Sequence, residues 1–393
     1  MAVVQRVGQG LGLTWTVLGS DWRVVEPAET YLEFLRDEQR SPHTVKAYAH
    51  GLAAYWSFLE ATDGDWRAAT PATIGTFLAR LRDGDAAGRV IPLPAAVDRD
   101  GPSPATVSLR LRTVMSFYRF WAANDGVPVA GLLYEQVIGR PGPYRPFLDH
   151  LARKSGRLRS RVRVRPDIRR PPVFTPEQVT LIVDAAAVWD VHERRWTGNL
   201  RNRLLWSLLA ETGLRLGEAL SLQHRDWRSG HGDTASIEVV SRPHPLGVRT
   251  KSGPRRVYIG AELDRLYADY VWLLCDGGID SEVADLDGAY VFCNLDREPV
   301  YGPLSPSTVY EHVRAIKRRE RSLPAAWTPH WFRHTHATAL LLAGVEPIVV
   351  SRRLGHASVE TTLNTYAWVT ADAEMRTVAN WRAWTAGWGA ASA

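Results

Sequence analysis

A serine or threonine followed directly by proline opens an apolar pattern of helical spacing at several places in this 393-residue chain. The hydroxyl can accept a hydrogen bond from a free N–H of the first turn, and proline fits the first helical position because its missing N–H costs no bond there. Such pairs include Ser41-Pro42, Thr70-Pro71, Ser103-Pro104 and Thr175-Pro176. From Val45 to Leu59, apolar residues recur three and four positions apart, the pattern of one helix face. The chain is therefore predicted to be mainly α-helical.

The length of the chain favours more than one domain. We predict an N-terminal arm with short β-like pieces over residues 1–26, a helical domain over 27–130, a basic linker over 131–172 and a second domain over 173–393. Residues 83–102 are rich in Gly, Pro and Asp and are predicted to form a loop.

The second domain is predicted to contain strands as well as helices. Two strand-rich stretches, 237–241 and 256–259, flank a polar turn. Helices are predicted at 177–187, 199–211, 262–274 and 305–320, and from 331 onward. The predicted fold class is α+β, mainly α with a small antiparallel β-sheet.

The charge of the chain permits a polyanionic partner. The net charge is +6, and 44 arginines stand against four lysines. An arginine-rich composition alone would give the same count, whereas arginine is also well suited to phosphate oxygens. Residues 140–172 carry eleven Lys or Arg and two acids, which fits either a solvated linker or one that crosses DNA phosphates.

The sequence favours a cytoplasmic protein. No apolar stretch approaches the ~20 residues of a membrane helix, and residues 1–19 lack the apolar core of a secretory signal. Cys275 and Cys293 cannot form a disulfide framework and are predicted to be small buried residues in a reducing compartment.

Two clusters of the second domain present an arginine and a lysine in turns. In the segment 211–220, Gly213 can end a helix and Arg215 then begins the next one beside free backbone N–H groups, a good place to hold an anion. Glu218 could orient the guanidinium of Arg215, or the two could form a weak surface pair. Lys251 lies at a probable hairpin tip, where it could donate a proton or simply be solvated.

Two further clusters place histidines, an arginine and a tyrosine close together in sequence. His330 and Arg333 are three apart at a helix start and share one face. His356 follows Leu354-Gly355, after which a short helix capped by Ser358 reaches Tyr366. By itself, a tyrosine at this position is more typical of packing than of catalysis.

A zinc site is an alternative interpretation of the histidines. His330 and His334 are four apart, a spacing that zinc-binding helices use. Trp331 follows the first histidine where such helices carry a glutamate, and no cysteine or carboxylate lies nearby in sequence. We therefore expect no metal.

Together the clusters resemble the tyrosine recombinase (phage integrase) family. Its signature is an arginine in a Thr-Gly-Leu-Arg-type turn, a hairpin lysine, His-x-x-Arg, Leu-Gly-His and a tyrosine about ten residues later, and all five occur here in order. Residues 41–48 also resemble the helical core-binding (SAM-like) domain of that family. The resemblance covers roughly residues 27 to 385, and the arm and the loop at 83–102 point to a transposon- or phage-type integrase.

The resemblance implies a role for each residue. Arg215 and Arg333 would stabilise charge on the phosphate, and Tyr366 would attack phosphorus to form a 3′-phosphotyrosyl bond. His330 would be the base or hydrogen-bond partner of Tyr366, His356 a donor to the phosphate, and Lys251 the acid that protonates the 5′ oxygen. Glu218 would support Arg215.

The resemblance also implies partners. The chain would act on double-stranded DNA as a homotetramer, through a Holliday junction and without metal or nucleotide cofactor, and an accessory or excision factor is a further expected kind of partner. The predicted DNA contacts are Lys46, Arg157, Arg159, Arg161, Arg163 and Arg165.

Two other functions share part of this pattern. A type IB topoisomerase-like enzyme would use the arginines, lysine and tyrosine to nick and close DNA. A non-catalytic DNA-binding accessory factor would be expected to have lost a catalytic position, and none is lost here. The target DNA, the direction of recombination and the docking of the C-terminal tail in cis or in trans are left open by the sequence.

Overall fold

The computed structural model describes residues 1–9, 12–83, 102–137, 157–162, 170–230, 234–248, 250 and 252–366. The chain divides into two compact units, Met1–Ile168 and Arg169–Ala393. Both are mainly helical with small antiparallel sheets, which confirms the predicted fold class. Over the residues described, no helix combines the length and the apolar character needed to cross a membrane.

Three helices of the first unit begin at the predicted Ser-Pro and Thr-Pro pairs. Its helices are α1 (Glu26–Asp37), α2 (Pro42–Ala61), α3 (Pro71–Asp83), α4 (Pro104–Asn124) and α5 (Val129–Leu133). Ser41 and Ser103 cap α2 and α4, each accepting a hydrogen bond from the N–H three residues on. Buried aromatic residues such as Tyr55, Phe77 and Phe117 fill the core between these helices.

The residues predicted as an arm form a β-hairpin that packs on the helices. Strands β1 (Val3–Gln9) and β2 (Gly12–Leu18) pair antiparallel, with Val3 opposite Leu18. Val17 is fully buried in the core of the unit, and the backbone N–H of Ala2 donates to the hydroxyl of Ser57. The sequence predicts β2 but not β1, because the exposed residues of β1 form no apolar face.

A second hairpin joins two pieces of the predicted linker. Strand β3 (Tyr134–Val137) pairs antiparallel with β4 (Arg157–Ser160). Two of the predicted DNA-contacting residues, Arg157 and Arg159, therefore belong to a strand. The predicted loop over 83–102 lies almost wholly outside the described residues.

The second unit combines helices with two small sheets in the part of the chain that is described. The helices are α6 (Pro176–Asp184), α7 (Leu200–Thr212), α8 (Leu216–Leu220), α9 (Ala261–Asp276), α10 (Ile279–Glu282), α11 (Pro306–Arg319), α12 (His330–Leu342) and α13 (Pro347–Leu354). Residues 359–366 are also helical. The strands are β5 (Ala187–Asp190), β6 (Arg195–Gly198), β7 (Trp227–Arg228), β8 (Ser236–Val239) and β9 (Arg255–Tyr258).

The predicted strands form a three-stranded antiparallel sheet in the order β7-β8-β9, with Ile237 opposite Val257. The sequence does not predict the β5–β6 hairpin, and the helix expected over 177–187 ends before it at Asp184. The helical stretch expected from residue 331 is interrupted at Gly344 and Gly355, both with positive φ, the backbone conformation that commonly ends a helix.

Helix α7 lies at the centre of the second unit. Leu204, Leu205, Leu208 and Leu209 are all fully buried, so the helix is covered on more than one side. Helix α12 packs against it, and Trp206 of α7 stacks on Phe332 of α12 with ring centroids 5.9 Å apart. The turn that follows α7 is therefore joined to a well-packed helix.

Candidate active site

The turn after α7 carries the first predicted site residue. Gly213 ends α7 with φ +64°, and its N–H donates to the carbonyl of Leu209. A Cβ at this position would lie 2.8 Å from Leu354 Cδ2 and 2.9 Å from the His336 ring. Glycine is therefore needed both for the left-handed turn and for the close approach of α12 and α13. Arg215 follows as the residue that precedes α8.

Glu218 holds Arg215 in place, as the sequence predicts. The Nη1 of Arg215 lies 2.8 Å from Oε1 of Glu218, and the backbone N–H of Arg215 donates to Oε2 at 3.0 Å. The Glu218 side chain is 0% exposed, whereas that of Arg215 is 25% exposed. The pair is thus a mostly buried support that leaves part of the guanidinium accessible, rather than a solvated surface pair.

Two residues that the sequence does not single out complete this support. Arg255 at the start of β9 donates from Nη2 to Oε2 of Glu218 at 2.7 Å, and Ser252 donates its hydroxyl to Oε1. Burial alone would raise the pKa of Glu218, but the hydrogen bond and positive charge of Arg255, together with Ser252 and the Arg215 N–H, lower it to about 2. Glu218 is therefore ionised at neutral pH.

Arg333 approaches the same turn from α12. Its Nη1 donates to the carbonyl of Gly213 at 3.0 Å and its Nη2 to that of Leu354 at 2.8 Å. The residue is 2% exposed. Burial, and then the positive charge of Arg215, lower the pKa of Arg333 to about 10, so it remains charged at neutral pH. Two of the predicted arginines therefore meet at one turn.

Tyr366 is held inside the second unit. It is 2% exposed and packs with Ala337, Val350 and Leu354 in a small apolar cluster. Its hydroxyl lies 2.9 Å from Nδ1 of His334. Burial raises the pKa of Tyr366 to about 12, although the charge of Arg333 opposes that rise. The phenol is thus protonated and needs an acceptor before it can act as a nucleophile.

The histidine that hydrogen bonds to Tyr366 differs from the predicted one. The sequence predicts His330, whereas His334, one helical turn further along α12, makes this contact. The two rings are adjacent, with centroids 4.6 Å apart, and His330 is exposed. Burial, and then the positive charges of His330 and Arg333, lower the pKa of His334 to about 4, so its ring is neutral at pH 7. In the sequence, the spacing of His334 suggests only a metal ligand.

His356 directly follows the turn formed by Leu354 and Gly355. Its Nδ1 is 2.7 Å from the hydroxyl of the buried Thr362, which fixes the ring relative to the helix of Tyr366. Burial, followed by the charges of Arg333 and Arg215, lowers the pKa of His356 to about 4. Lys251 lies outside the described residues, although its neighbour Ser252 is part of the site.

The predicted DNA contacts belong to the first unit where they are described. Lys46 is exposed on α2, with its Nζ 5.7 Å from the centroid of the Trp15 ring. Arg161 is also exposed, whereas Arg163 and Arg165 lie outside the described residues. As for metals, the described ranges contain no group of three or more His, Cys, Asp or Glu that could hold an ion.

Family models match both units of the chain. The model of the phage integrase family matches residues 172–372, and that of the phage integrase N-terminal SAM-like domain matches residues 28–125. Transposase A from transposon Tn554 of Staphylococcus aureus is 30% identical over 359 residues, which cover 90% of each protein. Tyrosine recombinase XerC of Rhodospirillum centenum is 29% identical over 349 residues, covering 86% of this chain and 81% of that protein.

Solved structures share the fold. A structure of XerH site-specific recombinase bound to palindromic difH substrate superposes with a TM-score of 0.56 at 18% identity, covering 89% of this chain and 83% of that one. Tn1549 transposon integrase in complex with transposon right end DNA gives a TM-score of 0.54 at 18% identity, covering 90% and 99%. The family match favours neither the topoisomerase nor the accessory-factor alternative. The chain belongs to the phage integrase family of tyrosine recombinases and is an enzyme that breaks and rejoins DNA in site-specific recombination.

Proposed function

We propose that this chain joins the ends of a mobile element through a covalent bond between DNA and Tyr366. The oxygen of Tyr366 attacks phosphorus, a bond forms between that oxygen and the 3′ phosphate, and the bond from phosphorus to the 5′ oxygen breaks. The observation that carries the proposal is the position of the Tyr366 hydroxyl. It lies at hydrogen-bond distance from the neutral ring of His334, and the positive charge of Arg333 is close enough to lower its pKa.

Arg215 and Arg333 stabilise the charge that develops on the nonbridging phosphate oxygens. Arg215 lies in the turn after α7, and Arg333 donates a hydrogen bond to the Gly213 carbonyl of the same turn. Arg215 keeps part of its side chain accessible while Glu218 fixes its direction. Preorganised donors of this kind are typically worth roughly 3–4 kcal/mol of activation barrier each.

The protons move through the histidines and the lysine. Tyr366 passes its proton to His334, whose Nδ1 already lies at hydrogen-bond distance, and His330 lies next to that ring to relay the proton to solvent. His356 donates to a phosphate oxygen, and Lys251 protonates the leaving 5′ oxygen. Religation reverses these transfers, and because the phosphotyrosyl bond conserves the energy of the phosphodiester, no nucleotide cofactor is needed.

The substrate is double-stranded DNA held by both units. Support comes from the structural neighbours, which include recombinases bound to DNA substrates and to transposon ends. We propose that residues 27–130 form the core-binding domain, that Lys46 and the arginines at 157, 159, 161, 163 and 165 contact phosphates along the basic linker, and that residues 173–393 carry out catalysis. A homotetramer would supply four active sites for the two strand exchanges of a Holliday junction, at the cytoplasmic nucleoid.

Covalent capture from a random library tests this function and identifies the DNA site in the same experiment. The protein is incubated with random duplexes nicked near each potential cleavage position, so that the short 5′-hydroxyl fragment diffuses away and the adduct accumulates. We expect a denaturant-resistant protein–DNA adduct with a shared sequence motif, and none with Tyr366→Phe. An adduct that forms equally with Tyr366→Phe, or no adduct from any duplex that the protein binds, would contradict the proposal.

A further inference from the structure

Arg255 donates hydrogen bonds to three different residues of the site. Its Nε donates to the backbone carbonyl of Arg353 at 2.9 Å, its Nη1 to the hydroxyl of Ser252 at 2.9 Å, and its Nη2 to Glu218 at 2.7 Å. Its side chain is 10% exposed. All three nitrogens of the guanidinium are thus committed to the protein.

These contacts join three separate segments of the chain. Glu218 lies in α8, close to Arg215, Ser252 precedes β9, and Arg353 lies in the last turn of α13, three residues before His356. Guanidinium carries its donors on three separate nitrogens of one plane, whereas the ammonium group of a lysine donates from a single nitrogen that could not lie close to all three partners.

The packing around Arg255 allows little freedom. A Cβ at Gly355 would lie 2.7 Å from Arg255 Nη1 and 2.8 Å from Ser252 Cβ, so the turn before His356 rests directly on these two side chains. A displacement of Arg255 would therefore shift both Ser252 and the turn at Gly355.

The charges of the site indicate that Arg255 does not bind phosphate in the way proposed for Arg215 and Arg333. Glu218 is the one carboxylate that contacts guanidinium groups among the described residues of this cluster, and it is shared by Arg215 and Arg255. Arg255 neutralises Glu218 and so leaves the charge of Arg215 available to a bound anion. Because its own nitrogens are occupied and it is nearly buried, Arg255 is not itself placed to clamp a phosphate.

We propose that Arg255 is a positioning residue for DNA cleavage, which aligns the Arg215 guanidinium through Glu218, the hairpin through Ser252 and the turn of His356 through the Arg353 carbonyl. The inference rests on the proposed function, since it concerns the same reaction. A misplacement of about 1 Å in such a site can cost about 100-fold in rate.

The test compares Arg255→Lys with Arg256→Lys on duplexes obtained by covalent capture. Arg256 is the next residue of β9, is 48% exposed and pairs with Glu238 instead, so it is a matched control. At saturating DNA, we expect Arg255→Lys to lower the single-turnover rate of adduct formation by about 100-fold while the affinity for DNA is unchanged. Arg256→Lys should keep the rate of the unmodified protein.

A double-mutant cycle with Glu218→Gln separates positioning from general destabilisation. If Arg255 acts through Glu218, the double variant loses little more than the more damaging single variant. Losses that multiply, a wild-type rate for Arg255→Lys, or an equal loss in Arg256→Lys would overturn the proposal. Should Arg255→Lys fail to fold in a thermal unfolding assay, Ser252→Ala decides the matter: an about 10-fold loss of rate supports it, and an unchanged rate overturns it.

The two proposals fail in different ways. If Tyr366→Phe abolishes the adduct and Arg255→Lys cleaves normally, the inference about Arg255 is wrong and the proposed function stands. If Tyr366→Phe still forms the adduct, the proposed function itself is wrong.

Discussion

Tyr366 and His334 form a donor and an acceptor whose pKa values are moved far apart. Burial raises the pKa of the phenol to about 12, and burial with neighbouring positive charge lowers that of the imidazole to about 4. A proton transfer between them is therefore uphill in the absence of DNA. A bound phosphate would raise the pKa of both groups, so the transfer is expected to accompany bond formation to phosphorus, when the oxygen of Tyr366 no longer holds the negative charge.

The pH dependence of cleavage tests the role of His334. His334→Asn keeps a hydrogen-bonding atom near Nδ1 but cannot take up a proton at these pH values. We expect the unmodified enzyme to cleave at a nearly constant rate between about pH 6 and pH 8, because His334 is already neutral there. The rate of His334→Asn should be lower and should rise with pH as hydroxide removes the phenol proton. The test is to measure single-turnover rates of both proteins across this pH range. Identical pH profiles for the two proteins would contradict the proposed role of His334.

Acid should destabilise the folded protein through its site histidines. His334, His336 and His356 have folded pKa values of about 4, below the ~6.5 of an unfolded chain. As the pH falls below about 6.5, the unfolded state binds more protons than the folded state, so the free energy of unfolding decreases. Denaturant unfolding at a series of pH values should show this loss, reduced in His336→Gln. A stability that is constant down to pH 4 would contradict the assignment.

The predictability of the site depends on whether a residue's role is local in sequence. Arg215, Arg333, His356 and Tyr366 belong to short motifs and can be predicted from them, as can the support of Arg215 by Glu218. Ser252 and Arg255 cannot, because their contacts with Glu218 span 34 and 37 residues and no spacing rule reveals them. The contact of His334 with Tyr366 spans 32 residues and is likewise unpredictable.

At the scale of elements, capping residues locate the helices well. Thr175 and Ser305, each followed by proline, cap α6 and α11 by accepting a hydrogen bond from the N–H three residues on. Thr175 also forms a full capping box with Gln178. The β5–β6 hairpin is not predicted because its connecting turn lacks glycine and proline. In addition, Trp189 and Trp196 pack on each other, and the strands show no clear alternation of apolar and polar residues. Short hairpins are decided by such cross-strand pairs, which a sequence does not reveal.

Two helix-ending glycines allow the close packing of the site to be measured. Gly344 and Gly355 have φ of +86° and +66°, so alanine costs about 1–2 kcal/mol of backbone strain at either position. Gly344 has open space around its Cβ position, whereas Gly355 has Arg255 and Ser252 against it. We expect Gly355→Ala to lower the free energy of unfolding more than Gly344→Ala and to slow cleavage selectively. Equal effects in denaturant unfolding would show that the turn does not rest on Arg255.

At the scale of the whole molecule, the burial of Tyr366 in its own subunit predicts cleavage in cis. Its ring packs with Ala337, Val350 and Leu354 of the same chain. In a mixture of Tyr366→Phe and Arg215→Ala proteins, no subunit then has a complete site. We expect the mixture to form no more adduct than the separate variants. Restored cleavage would show instead that one subunit delivers its tyrosine to another.

The most direct measurement is the identity of the residue that becomes bonded to DNA. The captured adduct is digested with nuclease and trypsin, and the modified peptide is sequenced by mass spectrometry. We expect a nucleotide remnant joined through its 3′ phosphate to the oxygen of Tyr366. A remnant on any other side chain, or one joined through a 5′ phosphate, would contradict the account of cleavage given by this site.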